Sequence, residues 1–178
     1  MKEVLKKEDI IIKIAILFYI CSIIGYIYEL ILNLIMTGKI ISHGILFGPW
    51  LPIYGTGSIL IMLFYKFKKN PWLIFGLSFF VTGVLEYICG FILLKFLKMR
   101  LWDYTGYFLN INGYVCFLSS LCFGLGGLLI TYLIYPLIEK LYNKTNKKLL
   151  KIILCIISTF FLTDIIATIL KWLYNIFV

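Results

Sequence analysis

The chain of 178 residues is 62% hydrophobic and only 14% charged, with a mean hydropathy of +1.02. This composition excludes a water-soluble globular domain, because a domain of this size cannot cover so much apolar surface. The net charge of +9 lies in short basic clusters between apolar segments, which suits lipid headgroups and excludes a nucleic-acid-binding face. The chain is therefore predicted to form an all-α, polytopic membrane helix bundle with a single transmembrane domain over residues 1–178.

Five apolar segments are long enough to cross a bilayer, which takes about 20 helical residues. In chain order they cover residues 10–36, 45–65, 71–94, 114–138 and 149–177. The second contains the sequence GPWLPIYG at 48–55, whose prolines and glycines predict a broken helix. The amphipathic, aromatic segment 95–113 follows the third span, and we expect it to lie in the membrane interface.

The basic residues are unequally distributed between the two predicted sides of the membrane. With five crossings, twelve lysines lie on the N-terminal side and five lysine or arginine residues lie on the other. Lys and Arg are enriched on the cytoplasmic side of membrane proteins. We therefore predict a multi-pass cell (inner) membrane protein with a cytoplasmic N-terminus and an extracytoplasmic C-terminus.

Three acidic residues fall inside predicted spans: Glu29, Glu86 and Asp164. Charged groups are costly within a bilayer, so each is a functional candidate. In the predicted orientation all three lie in the outer half of the bilayer, as does the break at 48–57. Gly25 is one helical turn from Glu29, and Gly83 is one turn from Glu86, so both carboxylates share a face with a small residue that permits close helix packing.

The interrupted second span predicts a polar site. Pro49 and Pro52 remove backbone donors and leave carbonyl groups that protein or water must satisfy. A helix that restarts at Pro52 would direct its first N–H groups at the break, and discontinuous helices form substrate and ion sites in transporters. The alternative is a proline kink that only shapes packing.

The predicted substrate- or ion-binding residues surround this break and the buried carboxylates. They are Glu29, Pro49, Trp50, Pro52, Tyr54, Gly55, Glu86 and Asp103. The secondary candidates are Tyr26, Trp102, Tyr104, Asn112 and Asp164. Asp103 has an alternative role as the partner of Arg100 in an interfacial anchor, and Asp164 has one as a structural hydrogen-bonding residue.

No catalytic residue, metal site or cofactor is predicted. The five cysteines lie in apolar segments without CxxC spacing, and the one histidine, His43, is expected at headgroup level. The sequence also lacks the P-loop, HExxH and GxSxG patterns of familiar nucleotide-binding proteins and hydrolases.

Three motifs resemble the putative ABC-transporter type IV family, whose bacterial members are also described as CmpB-like ABC transporter permeases. They are HGILFGPWLPIYGTG at 43–57, GVLEYICG at 83–90 and LWDYTGYFLNINGYVCFLSSLCFG at 101–124, preceded by GYIYE at 25–29. The chain departs from the family pattern at Tyr114 and Phe123, where arginine and tryptophan are common. The resemblance implies a transporter permease that works with a separate ATPase, for which the basic segment 139–151 is the expected docking element.

The leading functional hypothesis is a permease-type transporter subunit with a polar site in the outer half of the bilayer. Its partners would be the lipid bilayer and either further copies of the chain or other membrane and ATPase subunits. Two alternatives remain open: a membrane-embedded enzyme that acts on a lipid-linked substrate, and a non-catalytic assembly or sensor subunit.

Overall fold

The computed structural model describes residues 2–40 and 44–177, with side chains from Glu8 to Tyr174 within those ranges, so His43 lies outside the described residues. The described helices are α1 (Lys2–Thr37), α2 (Pro52–Met62), α3 (Pro71–Leu97), α4 (Phe117–Leu129), α5 (Tyr135–Lys144) and α6 (Lys147–Phe177). A 3₁₀ turn at Tyr65–Phe67 precedes α3, and a π-helical turn at Ile130–Ile134 joins α4 to α5.

The predicted polytopic helical bundle is confirmed. Within the described ranges, four helical segments are long and apolar enough to cross a membrane: Glu8–Thr37, Pro71–Leu97, Phe117–Lys144 and Lys147–Tyr174. The fourth predicted span begins three residues later than expected, because Cys116 caps its first turn, and it extends to Lys144 through the π turn.

The second predicted span has a non-helical half and a helical half. Residues 44–51 contain bends, and only the eleven residues of α2 are helical. Proline at the first position of α2 explains where the helix restarts, since its fixed φ suits a first turn that needs no N–H partner. The preceding Leu51 donates its N–H to the carbonyl of Ser22, near the middle of α1, at 3.0 Å. The break predicted from the prolines is therefore present.

Most of the predicted interfacial segment 95–113 belongs to a loop of successive turns that covers residues 98–116. The backbone has positive φ at Gly106, Leu109, Asn112 and Gly113. Glycine and asparagine adopt this conformation readily, whereas a leucine such as Leu109, at φ 50°, is held there at a cost of about 1–2 kcal/mol.

The described residues form two compact units. The first contains the chain up to Leu51 and from Ile138 onward, and the second contains Pro52–Leu137. In the first unit, α1 and α6 run parallel, as two of their contacts show: Lys151 pairs with Glu8 at 3.0 Å, and further along both helices Tyr19 donates to Ser158 at 2.8 Å.

In the second unit, α3 and α4 run antiparallel and approach closely through small residues. A Cβ built on Gly83 would lie 2.9 Å from the Ser120 hydroxyl, and one built on Gly127 would lie 2.0 Å from that of Ser78. The small residues of both helices thus permit the close contact that their spacing predicted. Gly76, seven residues before Gly83 on α3, has no atom within 4 Å of its built Cβ.

Candidate functional site

The most buried carboxylate of the second unit belongs to Glu86 in α3, which is 4% exposed. Its Oε1 accepts a hydrogen bond from the Tyr104 hydroxyl at 2.9 Å, and its Oε2 accepts one from the Ser119 hydroxyl at 2.7 Å. Tyr104 lies in the 98–116 loop and Ser119 in α4. One carboxylate therefore connects α3, the loop and α4.

The N-terminus of α4 explains how Ser119 reaches Glu86. Ser119 is the third residue of the helix and forms a capping box with Cys116, whose N–H donates to the serine hydroxyl at 3.1 Å. The hydroxyl proton is then free to go to Glu86, its shortest acceptor contact. The first turn of a helix also carries partial positive charge, which favours a nearby carboxylate.

The loop that supplies Tyr104 is tied together by its own polar groups. Trp102 donates its indole N–H to the carbonyl of Tyr114 at 2.8 Å, and the Tyr104 N–H donates to the carbonyl of Gly113 at 3.0 Å. Asn112 donates to the hydroxyl of Tyr87 in α3 at 3.2 Å. Three of the predicted secondary residues, Trp102, Tyr104 and Asn112, thus fasten this loop around Glu86.

Asp103 faces outward from the same loop and is half exposed. It accepts hydrogen bonds from Arg100 at 2.7 Å and from the Thr105 N–H at 2.8 Å. Hydrogen bonds from Thr105, followed by the charge of Arg100, lower the pKa of the Asp103 carboxyl below its ordinary value. The geometry matches the alternative role predicted for this residue, as the partner of Arg100.

Asp164 of α6 anchors the non-helical half of the broken span in the first unit. Its carboxylate accepts the N–H of Phe47 at 2.9 Å, the N–H of Gly48 at 2.7 Å and the indole N–H of Trp50 at 3.0 Å. The Trp50 ring packs edge-on against Tyr19 and Phe161. The carboxylate therefore satisfies donors freed by the break, which is the structural role considered for it above.

The other predicted residues lie at separate points of their units. Glu29 and Tyr26 are half-buried on α1, where the Glu29 carbonyl accepts a hydrogen bond from Asn33 at 3.0 Å. Pro49 is exposed beside Gly48, and Pro52 begins α2.

Two further predicted residues lie within α2 itself. The Tyr54 ring packs against Phe123 with centroids 5.4 Å apart, and the buried Gly55 accepts a hydrogen bond from Ser58 at 2.6 Å. The described residues contain no group of three or more His, Cys, Asp or Glu side chains placed to hold a metal ion.

The comparison with protein families agrees with this architecture. A family model described as "Putative ABC-transporter type IV" matches residues 16–169, which is most of the chain. The chain belongs to this family. The type IV family name relates it to ABC transporters, and the four long apolar helices within the described residues make it a membrane protein. No curated protein and no solved structure gives a significant match.

Three partners of the carboxylates were missed by sequence reasoning. The sequence offers a signal for Ser119, because it lies three residues after Cys116, a potential N-cap. A side chain at that position can hydrogen-bond to the backbone at the start of the helix. The sequence offers no such signal for the backbone N–H groups of Phe47 and Gly48, since their acceptor, Asp164, lies more than a hundred residues away along the chain.

Proposed function

We propose that this type IV protein is a permease-type transporter subunit. Its polar site would be the Glu86 group, by which we mean Glu86 with its hydrogen-bond donors Tyr104 and Ser119. The observation that carries the proposal is the Glu86 carboxylate itself, 4% exposed within a membrane-length helix and held by hydroxyls of Tyr104 and Ser119. A carboxylate at such a position is costly to maintain and is typical of substrate and ion pathways. Both hydroxyls come from outside α3, so movement of the loop or of α4 would change the charge environment of Glu86.

We further propose that the chain crosses the membrane five times. The parallel directions of α1 and α6 support an odd number of crossings, and antiparallel α3 and α4 would supply two of those between them. The segment 44–62 would then supply the remaining crossing, as an extended half followed by α2. The hydrogen bond from Leu51 to Ser22, near the middle of α1, supports a position of Leu51 close to the middle of the bilayer. With twelve basic residues on the N-terminal side and five on the other, the N-terminus would be cytoplasmic, in a bacterial cell membrane.

Besides the lipid bilayer, the proposed partners are either further copies of the chain or other membrane and ATPase subunits. The segment 139–151, which comprises the end of α5, the following turn and the start of α6, is the proposed ATPase-docking element, and its Lys140, Lys144 and Lys148 are exposed. Two ion pairs connect this segment to α1: Lys147 pairs with Asp9 at 3.1 Å, and Lys13 pairs with Glu139 at 3.2 Å. A force applied at this segment would therefore reach the first transmembrane helix.

Reconstitution tests the transport function. The tagged chain, purified with any ATPase that accompanies it, is placed in liposomes and supplied with ATP and the solutes of spent culture medium. Mass spectrometry of the vesicle contents should reveal at least one solute that accumulates with the wild-type protein and fails to accumulate with Glu86→Gln. Asp103→Asn is the matched control and should retain uptake. It removes a carboxylate from the exposed side of the loop 98–116, which also supplies Tyr104 to Glu86.

The same vesicles separate the proposal from its alternatives. Wild-type uptake by Glu86→Gln would contradict the assigned role of Glu86. Chemical conversion of an added lipid extract, without solute uptake, would contradict the transporter and favour the membrane-embedded enzyme.

A further inference from the structure

The loop 98–116 presents an apolar surface that the Glu86 site does not use. We call it the apolar tip. Its members are Tyr107, Phe108, Leu109 and Ile111, with Phe117 and Leu118 at the start of α4 beside them. Phe108 is 72% exposed and Leu109 is 65% exposed, although the polar groups of the same loop are hydrogen-bonded.

The apolar tip is held in a fixed shape. The carbonyl of Phe108 accepts the N–H of Phe117 at 3.2 Å, and the two rings meet edge-on with centroids 5.9 Å apart. Ile111 pairs with Val115 through a backbone hydrogen bond of 2.9 Å. The exposed side chains are therefore supported from behind by α4 and do not belong to a loose loop.

Leu109 adopts a backbone conformation that favours glycine or asparagine. Its φ of 50° lies in the left-handed region, where the neighbouring turns use Gly106 and Asn112. The leucine side chain strains the turn. Because the side chain is exposed, it gains little stabilising packing within the described part of the chain. Burial against something outside the chain would offset that strain.

The position of the loop identifies what covers the apolar tip. The loop joins two membrane-length helical segments, which end at Leu97 and begin at Phe117, so it lies at the boundary of the hydrocarbon. Lys95 in the last turn of α3 and Lys98 at the start of the loop are exposed, and their charges match the phosphate groups of lipids. We infer that the apolar tip inserts into the acyl region of the adjacent leaflet while these lysines contact lipid phosphates. This membrane anchor goes beyond the proposed transport function and does not depend on it.

Tryptophan quenching by brominated lipids tests the insertion. Phe108→Trp is reconstituted in phosphatidylcholine vesicles that carry bromine at defined acyl-chain positions. The wild-type signal, from its four native tryptophans, is subtracted. The added fluorescence should be quenched by bromine near the headgroup end of the chains and be insensitive to acrylamide. Thr105→Trp, on the exposed polar side of the same loop, is the matched control and should respond to acrylamide instead.

Acrylamide quenching of the tryptophan introduced by Phe108→Trp would overturn the inference, because the apolar tip would then face water. Resistance to both quenchers would also overturn it, because another protein surface would then cover the apolar tip.

Leu109→Asn gives a second measurement, because it relieves the backbone strain while removing an apolar side chain from the tip. Thermal stability of this variant in detergent should be unchanged or higher. When Leu109→Asn is combined with Phe108→Trp, bromolipid quenching of the introduced tryptophan should fall at least twofold. Unchanged quenching in the combined variant would contradict the insertion of Leu109.

Discussion

The backbone N–H of Gly48 donates to the carboxylate of Asp164 at 2.7 Å, connecting the broken span to the last helix of the chain. A Cβ at position 48 would lie 2.1 Å from the Trp50 indole nitrogen and 2.8 Å from the same carboxylate. Glycine is therefore required at position 48 for the close approach of these side chains.

Asp164→Asn should destabilise the protein, because the amide has one acceptor oxygen and places an NH₂ group against N–H donors. Loss of one or two of the three hydrogen bonds is expected to cost about 1–3 kcal/mol. Thermal unfolding in detergent measures the effect, with Thr168→Val as the control, because its hydroxyl contact with Asp164 is long at 3.4 Å. Equal unfolding temperatures for the two variants would contradict the anchoring role of Asp164.

The Glu86 group should behave as a coupled network. Tyr104→Phe removes one donor and is expected to cost about 1–2 kcal/mol while the carboxylate is present. In a Glu86→Met background the same change should cost less, because the hydrogen bond from the Tyr104 hydroxyl to the Glu86 carboxylate is already absent. A double-mutant cycle measured by thermal or chemical unfolding gives the coupling directly. Additive effects of the two changes would show that the 2.9 Å contact contributes nothing to stability.

Gly127 and Gly126 should respond oppositely to alanine, although they are adjacent. At Gly127 a methyl group would collide with the Ser78 hydroxyl, 2.0 Å away, and force α3 and α4 apart. At Gly126 nothing lies within 4 Å, so alanine should be neutral or stabilising by about 0.5–1 kcal/mol through helix propensity. Gly127→Ala is expected to cost about 2–3 kcal/mol, in the range of overpacked cores.

Unfolding of both variants in detergent tests this comparison. The double change Gly127→Ala with Ser78→Gly should recover part of the loss, since it removes the opposing side chain. Equal stability of Gly126→Ala and Gly127→Ala would refute the close α3–α4 contact.

The 98–116 loop should lose a stabilising contribution at acidic pH. Because the pKa of Asp103 is lower in the folded protein than its ordinary value of 3.8, its ionised form stabilises the loop above that value. The contribution disappears as the pH falls through the lowered pKa and the carboxylate that holds Arg100 and Thr105 is protonated.

Trp102 reports this transition, since its indole is hydrogen-bonded within the same loop. Its emission in vesicles should be constant between pH 7 and pH 5 and change below pH 4, and Asp103→Asn should abolish the change. A midpoint above pH 5 would contradict the direction of the shift.

The break in the second span illustrates what local sequence determines. Two prolines and the flanking glycines remove N–H donors and helical preference wherever the chain is placed, so the interruption and the restart at Pro52 follow from residues within the segment. The apolar lengths likewise predict the long helices, because a helix is the backbone conformation that satisfies its own polar groups in lipid.

The partners of the carboxylates were decided by tertiary structure. Asp164 meets Phe47 and Gly48 across more than a hundred residues, and Glu86 meets Ser119 because α3 and α4 pack through Gly83 and Gly127. Periodicity placed Glu86 on a packed helix face, but it could not distinguish a neighbouring hydroxyl from a second carboxylate such as Glu29. The energies that choose among such partners arise only when helices distant in sequence come within hydrogen-bonding distance, which the spacing of residues along one helix does not specify.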